Sequence, residues 1–222
     1  MRKLAIAMAL ASTALATPAV ARDGSWYVGI EGGGMIVEDT ELDYDNGVRN
    51  VDDGVVVDYK TGVDADILTG YDMGMVRLEV ELGYKRASVD NIIIDRAVSA
   101  NTFTDFGGRG TALSAMANVL LDFGNEDWSG YVGPGIGLAK VKLRGSADLL
   151  SVSDSDSAIA WQVVAGVRKA ITPNLDLGLK YRFFNTGKLN FGGESELGAP
   201  FGLDGRWRSH SLLASLIFNF AA

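Results

Sequence analysis

The sequence predicts an all-β protein, an eight-stranded antiparallel transmembrane up-and-down β-barrel with short periplasmic turns and four long extracellular loops. Three observations carry that expectation. Eight stretches alternate apolar and polar residues with period two, the signature of strands with one greasy and one polar face. The connections between them alternate in length, long then short, as the two rims of a membrane barrel require and a soluble sandwich does not. The chain opens with an export leader.

The eight predicted strands follow in order. Trp26–Val37 (WYVGIEGGGMIV) sets Trp26, Val28, Ile30 and Ile36 against Gly29, Glu31 and Gly33. Asp58–Tyr71 sets Tyr59, Val63, Ala65, Ile67 and Tyr71 against Asp58, Lys60, Asp64 and Asp66. The third, starting at Val76, contains RLEVELGYKR, with Leu78, Val80, Leu82 and Tyr84 opposing Arg77, Glu79, Glu81 and Lys85. Thr111–Phe123 and Trp128–Lys140 come next, the latter with a row of glycines at 133, 135 and 137 opposite Val132, Ile136 and Leu138. Ala158–Arg168, Leu175–Phe184 and Arg208–Phe220 complete the set. Each is near the ~9–11 residues a tilted strand needs to cross a bilayer. The long connections are Glu38–Val57, Ala87–Gly110, Val141–Ser157 and Asn185–Trp207. The run Asn91–Asp95 (NIIID) in the second of these is expected to prolong a strand above the membrane.

Composition narrows the function. The 222 residues suit one domain, and 28 Gly with 4 Pro suit tightly turned β-structure. The absence of Cys excludes disulfides, thiolate metal sites and cysteine nucleophiles, and a single His excludes a multi-histidine metal centre. A formal net charge of −8 argues against nucleic acid as a partner. Arg2 and Lys3, the apolar run Leu4 to Leu15 and the small residues Ala19 and Ala21 read as a signal peptide over residues 1–21, cleaved after Ala21. Its removal takes the formal charge from −8 to −10 and leaves a barrel domain over residues 22–222. No later stretch reaches the ~18 apolar residues of a spanning helix.

With the apolar face towards lipid, the interior receives Glu31, Asp64, Asp66, Arg77, Glu79, Glu81, Lys85, Asp122, Arg168, Asp176, Lys180 and Arg182. Eight strands leave an interior that side chains fill, so these charges are expected to cross-link as ion pairs into a polar plug. The outward aromatics fall into two bands. Trp26, Tyr71, Phe123, Trp128, Phe218 and Phe220 lie towards the short-turn ends, and Tyr84, Trp161, Tyr181 and Phe183 towards the long-loop ends. Rings at both lipid–water boundaries form the aromatic girdles of such barrels.

WYVGIEGGG, WSGYVGPGIGLA, AWQVVAGVR, LGLKYRFF and HSLLASLIFNF, in that order behind a leader, resemble the small eight-stranded outer-membrane barrels of the OmpA type, most of all the alphaproteobacterial outer membrane beta-barrel branch. The similarity spans nearly all of residues 23–220. It implies residence in the outer membrane of a Gram-negative bacterium. It implies lipid and lipopolysaccharide as neighbours, and periplasmic chaperones and the barrel-assembly machinery as partners during biogenesis. The closing aromatics Phe218 and Phe220 would serve as the assembly signal, although Ala221 and Ala222 follow. The linker and peptidoglycan-binding domain of larger relatives are not expected, and a monomer is.

Residues with chemical potential are few. Ser209-His210-Ser211 holds the only histidine, but strand neighbours point to opposite faces, and the His-x-Ser pair of lipid A deacylase barrels is absent because position 212 is Leu. Asp43-Tyr44-Asp45-Asn46-Gly47 and Asp154-Ser155-Asp156 are fragments of calcium-loop patterns without the full spacing. No metal, cofactor or enzymatic activity is expected. The glycine runs Gly32–Gly34 and Gly107-Gly108 lack the context of a phosphate cradle. The leading expectation is a structural protein that supports outer-membrane integrity. The alternatives are a narrow pore for ions or small solutes, and an adhesin or surface-interaction role carried by the long loops.

Overall fold

The structure is a computed structural model that describes residues 24–45, 47–48, 50–94, 107–124, 128–147, 150–195 and 200–220. The leader, with Ala19 and Ala21, lies outside the described residues, as do Asn46 and residues 95–106. Twelve strands are described: β1 (Trp26–Val37), β2 (Thr40–Asp45), β3 (Asn50–Tyr59), β4 (Gly62–Asp72), β5 (Val76–Ile94), β6 (Gly107–Gly124), β7 (Trp128–Ala147), β8 (Leu150–Thr172), β9 (Leu175–Thr186), β10 (Leu189–Ser195), β11 (Pro200–Gly205) and β12 (Arg208–Asn219). All pair antiparallel.

The strands close twice. In the lower ring β1, β4, β5, β6, β7, β8, β9 and β12 form the expected eight-stranded barrel, sealed by the β1–β12 ladder from Tyr27↔Asn219 to Val37↔Ser209. Above it β2, β3, β5, β6, β7, β8, β10 and β11 form a second ring, sealed where β10 meets β8 at Glu194↔Ser151. The expectation of four long loops is corrected here. Two of the connections fold into the hairpins β2–β3 and β10–β11, and the third is mostly strand, β7 and β8 running on to Ala147 and from Leu150. The NIIID run extends β5 as far as Ile94, paired to Val55 of β3.

β5 to β8 run unbroken through both storeys. The other four walls are interrupted at one level, between β1 and β2, β3 and β4, β9 and β10, and β11 and β12. The break at Lys60 and Thr61 corrects the predicted second strand, which starts at Gly62. Tyr59, expected on the greasy outer face, instead turns inward and packs against Trp207, with ring centroids 5.4 Å apart. Because a strand's side chains alternate, an interruption lets the chain reset which parity faces inward. Inward residues are odd in β1 (Glu31, Met35, Val37) but even in β2 (Thr40, Leu42).

Below the breaks the outside is apolar: Ile136 is 62% exposed, Leu138 64% and Ile159 63%. A belt of this size has no counterpart on soluble monomers and demands a lipid solvent. From just below the breaks upward the arrangement inverts, which the sequence reading did not anticipate. Met35, Val37, Leu42, Val55, Val57, Phe184, Leu189, Phe191, Phe201, Leu203 and Trp207 gather inside as an apolar core, while Lys60, Asp90 and Lys188 face out.

The glycines of the narrow barrel serve two purposes. At Gly70 and Gly166 a side chain would collide with the rings of Tyr27 and Tyr131, so these glycines make room for bulky neighbours. At Gly133 and Gly137 a Cβ would instead run into the backbone of β6, at Val119 and Ala115. Here the walls approach more closely than any side chain allows, next to Pro134, which has no N–H to give the ladder, and the β6–β7 register has no partners between Asn118↔Gly135 and Leu121↔Val132. Gly133→Val is expected to destabilise the barrel by about 2 kcal/mol through backbone displacement. Gly34→Ala, where a Cβ meets nothing within 4 Å, is the control. Urea midpoints in vesicles measure both, and equal shifts would refute the close-approach explanation.

Candidate functional site

The lower storey places every predicted interior charge inside the barrel, and alternation along each strand explains how. Arg182 on β9 is the hub. Its Nη1 lies 2.9 Å from Asp64 Oδ2 and 2.8 Å from Asp66 Oδ2 on β4, and its Nη2 lies 2.9 Å from Glu81 Oε2 on β5. A guanidinium suits this position because its flat fork carries five donors and can serve several carboxylates together. Lys180, one inward position below, bridges Glu81 at 3.1 Å and Glu31. Lys85 sits 3.2 Å from Asp64 and 4.7 Å above the Phe184 ring, where the charged layer meets the apolar core.

Lower down the network changes character. Gln162 donates to Asn118 Oδ1 at 2.8 Å, Asn118 donates to Glu79 Oε1 at 3.1 Å, and the Tyr27 hydroxyl donates to Glu79 Oε2 at 3.1 Å. Glu79 is thus held by neutral donors, and it is Asp122 that pairs with Arg77. The guanidiniums of Arg77 and Arg168 both stack on the rings of Tyr27 and Tyr131, at 4.8–5.5 Å. Asp176 accepts from Asn219 at 2.9 Å. Arg77, Glu81, Lys85 and Arg182 are all 0% exposed. Alternation in the sequence sets Asn118, Gln162 and Ser211 on the polar face, but the expected network of charges included none of them, nor Tyr27 and Tyr131; Ser211 donates to Asp64 at 2.6 Å. The parity of Tyr27 and Tyr131 also points inward, but attention to charge passed over neutral donors and rings.

The predicted girdle residues face outward or lie at the wall. Trp26 packs on Tyr71 at 5.2 Å, Phe218 on Phe220 at 5.4 Å, and Trp161 on Phe183 at 5.4 Å. Tyr84 is 42% exposed, and Trp128, Tyr181 and Phe123 complete the set on the same faces. His210 points away from the interior, with Nε2 2.8 Å from Glu38 and Nδ1 2.7 Å from the Tyr181 hydroxyl. Ser209 and Ser211 point inward, so the serine–histidine stretch does not converge. Among the described residues no group of three or more His, Asp or Glu is placed to hold a metal.

Profile comparison gives the lineage. The "Outer membrane protein beta-barrel domain" family profile matches residues 5–208. The chain belongs to this family. Solved structures share its fold across nearly the full length. Neisserial surface protein A is 18% identical, with a TM-score of 0.52 over 89% of this chain and 100% of that one. OprG of Pseudomonas aeruginosa is 10% identical, with a TM-score of 0.60 over 90% and 98%. The outer membrane protease OmpT of Escherichia coli is 10% identical, with a TM-score of 0.53 over 88% and 97%. No curated protein matches the sequence. This family member is a bacterial outer-membrane protein, with its apolar belt in lipid and its upper storey on the extracellular side.

In that storey the acidic fragment on β8 has a structural task. Below Ser151 the strands β8 and β10 splay, and two carboxylates bridge the gap. Asp154 Oδ2 accepts from Gly192 N at 2.7 Å, and Asp156 Oδ2 from Asn190 N at 2.8 Å. The N–H groups of Asn190 and Ser157 hold the Asp156 carboxyl below the ordinary carboxylate range. A depressed folded-state value means that the seam's contribution is complete above about pH 4, the unfolded carboxylate value, and is lost as the pH falls further through the folded value. Hydrogen exchange at Asn190 is therefore expected to accelerate between pH 4 and acid more steeply in the wild type than in Asp156→Asn. Parallel profiles would rule the bridge out. In the other fragment Asp45 accepts from Gly47 N at 2.7 Å, forming a turn.

Proposed function

We propose that this protein is a closed structural barrel that supports the integrity of the outer membrane, and not a channel. One observation carries the reading: the lumen is filled twice, by a buried ion-pair network within the bilayer and by an apolar core above it. Ions crossing it would have to displace charges that hold one another and then enter a dry region, which is costly on both counts. The mature chain begins after residue 21, works as a monomer, and presents Phe218 and Phe220 to the assembly machinery. Its lasting partners are outer-membrane lipid and lipopolysaccharide. A catalytic role has no support from His210, whose two nitrogens are engaged by Glu38 and Tyr181 on the outer wall.

Planar-bilayer recording on the purified protein tests this. No stable conductance step is expected, while cells lacking the protein should leak large antibiotics and detergents and recover on complementation. Stable steps would replace the structural reading with a narrow cation pore, the second reading, favoured by the excess of carboxylates over cations in the lumen.

A further inference from the structure

Charge is unevenly spread around the outer wall. On the β1–β3 side the outward positions at the level of the breaks are mostly acidic, with Asp39 and Glu41 exposed and Asp58 beside Asp39, and the exposed Lys60 there is paired with Asp90 of β5. On the β5–β8 side they are basic. Across the ladders, one outward row reads Tyr84, Leu113, Lys140, Ser157, and the next reads Arg86, Thr111, Lys142, Ser155. A third reads Ser88, Arg109, Arg144, Ser153. Five cations and the hydroxyls between them occupy these rows without one carboxylate, in a chain of formal charge −8. None of the five has an ion-pair partner among the described residues. Asp90, the next outward carboxylate on β5, is held by Lys60 at 3.3 Å. Neighbouring strands lie about 4.8 Å apart and successive outward rows about 6.7 Å, so these like charges oppose one another unless an anion lies between them.

The row directly below, towards the membrane, is wholly apolar: Ile67, Leu82, Ala115, Leu138, Ile159. A shallow groove of 810 Å³ runs along it, lined by these residues and by Ala65, Tyr84 and Lys140 of the row above. Cations with hydroxyls above and an acyl-sized groove beneath match one kind of molecule.

We propose that this sector of the wall binds the phosphorylated glycolipid headgroup of outer-leaflet lipopolysaccharide. The guanidinium and ammonium groups take the phosphate oxygens, and one acyl chain lies along the groove. The proposal rests on the structural reading above and gives it a means, since a wall that grips its lipid anchors the surrounding leaflet. Conductance tests that reading independently, so the two can fail separately.

The experiment uses the refolded mature barrel in detergent, with bisphosphorylated lipid A, the same lipid A dephosphorylated, and phosphatidylethanolamine as probes. Phosphorylated lipid A is expected to bind about tenfold more tightly than the dephosphorylated form, a margin of the size a few interfacial cations supply. The variant R86Q/K142Q/R144Q, all at outward positions, should lose that margin while its heat-induced gel shift is unchanged. Ala115→Phe, which fills the groove, should weaken both forms of lipid A and keep the margin. Equal binding of the two forms, an unaffected triple variant, or displacement of lipid A by an equal concentration of inorganic pyrophosphate would each overturn the proposal. The last outcome would mark a site for free anions only.

Discussion

Replacing Arg182 with Met is expected to lower the stability of the barrel by about 3–5 kcal/mol, the range found when one member of a buried ion network is removed. The guanidinium touches Asp64, Asp66 and Glu81 at 2.8–2.9 Å, and Glu31 lies 3.6 Å away. Without it four carboxylates crowd together with only Lys85 and Lys180 to offset them. Arg182→Lys should recover part of the loss, because an ammonium is a point charge and cannot span carboxylates on both β4 and β5 as a fork does. Adding Glu81→Gln to Arg182→Met should also recover part, since it removes a charge the first change left unmatched, and the double mutant should be less than additive. Urea midpoints in vesicles and the temperature of the heat-induced gel shift are the measurements. A loss below about 1 kcal/mol would mean that the lumen is wet enough to screen these charges, against the picture of a sealed interior.

Trp207→Ala should cost a similar amount, about 3–5 kcal/mol, but in a different place. Trp207 is 2% exposed, its ring lies against Tyr59 and over Gly110, and its backbone N–H donates to Thr186 Oγ1 at 2.9 Å. Its removal opens a cavity in the apolar core to which the β2–β3 and β10–β11 hairpins contribute. The expected result is faster proteolysis of both hairpins on intact cells and faster hydrogen exchange in β2, β3, β10 and β11. The gel shift of the lower barrel and the absence of conductance should persist, because the charged layer below is untouched. If the lower ring loses protection to the same degree, the storeys unfold as one unit and their separation here is wrong.

The lower storey was legible because lipid forces a strict alternation. RLEVELGYKR needs no structure to reveal that Arg77, Glu79, Glu81 and Lys85 share a face, since ionised groups in hydrocarbon would be expensive. The hub role of Arg182 was not legible, because it depends on register: Asp64 meets Lys85 across β4–β5, and no alternation pattern states which rung faces which. The upper storey stayed hidden for another reason. Outside the membrane the solvent is water again, so its strands are short, irregular and rich in Asp and Gly, and TELDYD and NVDDGVVVDY read as polar loops. Trp207 was assigned to a connection because its neighbours Gly205 and Arg206 break the pattern, yet it is among the most buried side chains. Alternation around Val55, Val57 and Tyr59 could have exposed the second ring had the inverted polarity been considered.

Two sealed rings have one consequence for how this molecule meets others. An open sheet ends in a row of unanswered N–H and C=O groups, which invites a further strand from any passing chain. Here β10 reaching β8, and β12 reaching β1, remove that free margin from both storeys. Where β8 and β10 part below Ser151, the N–H groups of Asn190 and Gly192 are already taken by Asp156 and Asp154, so among the described residues little ladder is left for a second copy or a foreign peptide, and recognition at this cell surface falls to side chains and to the hairpin tips.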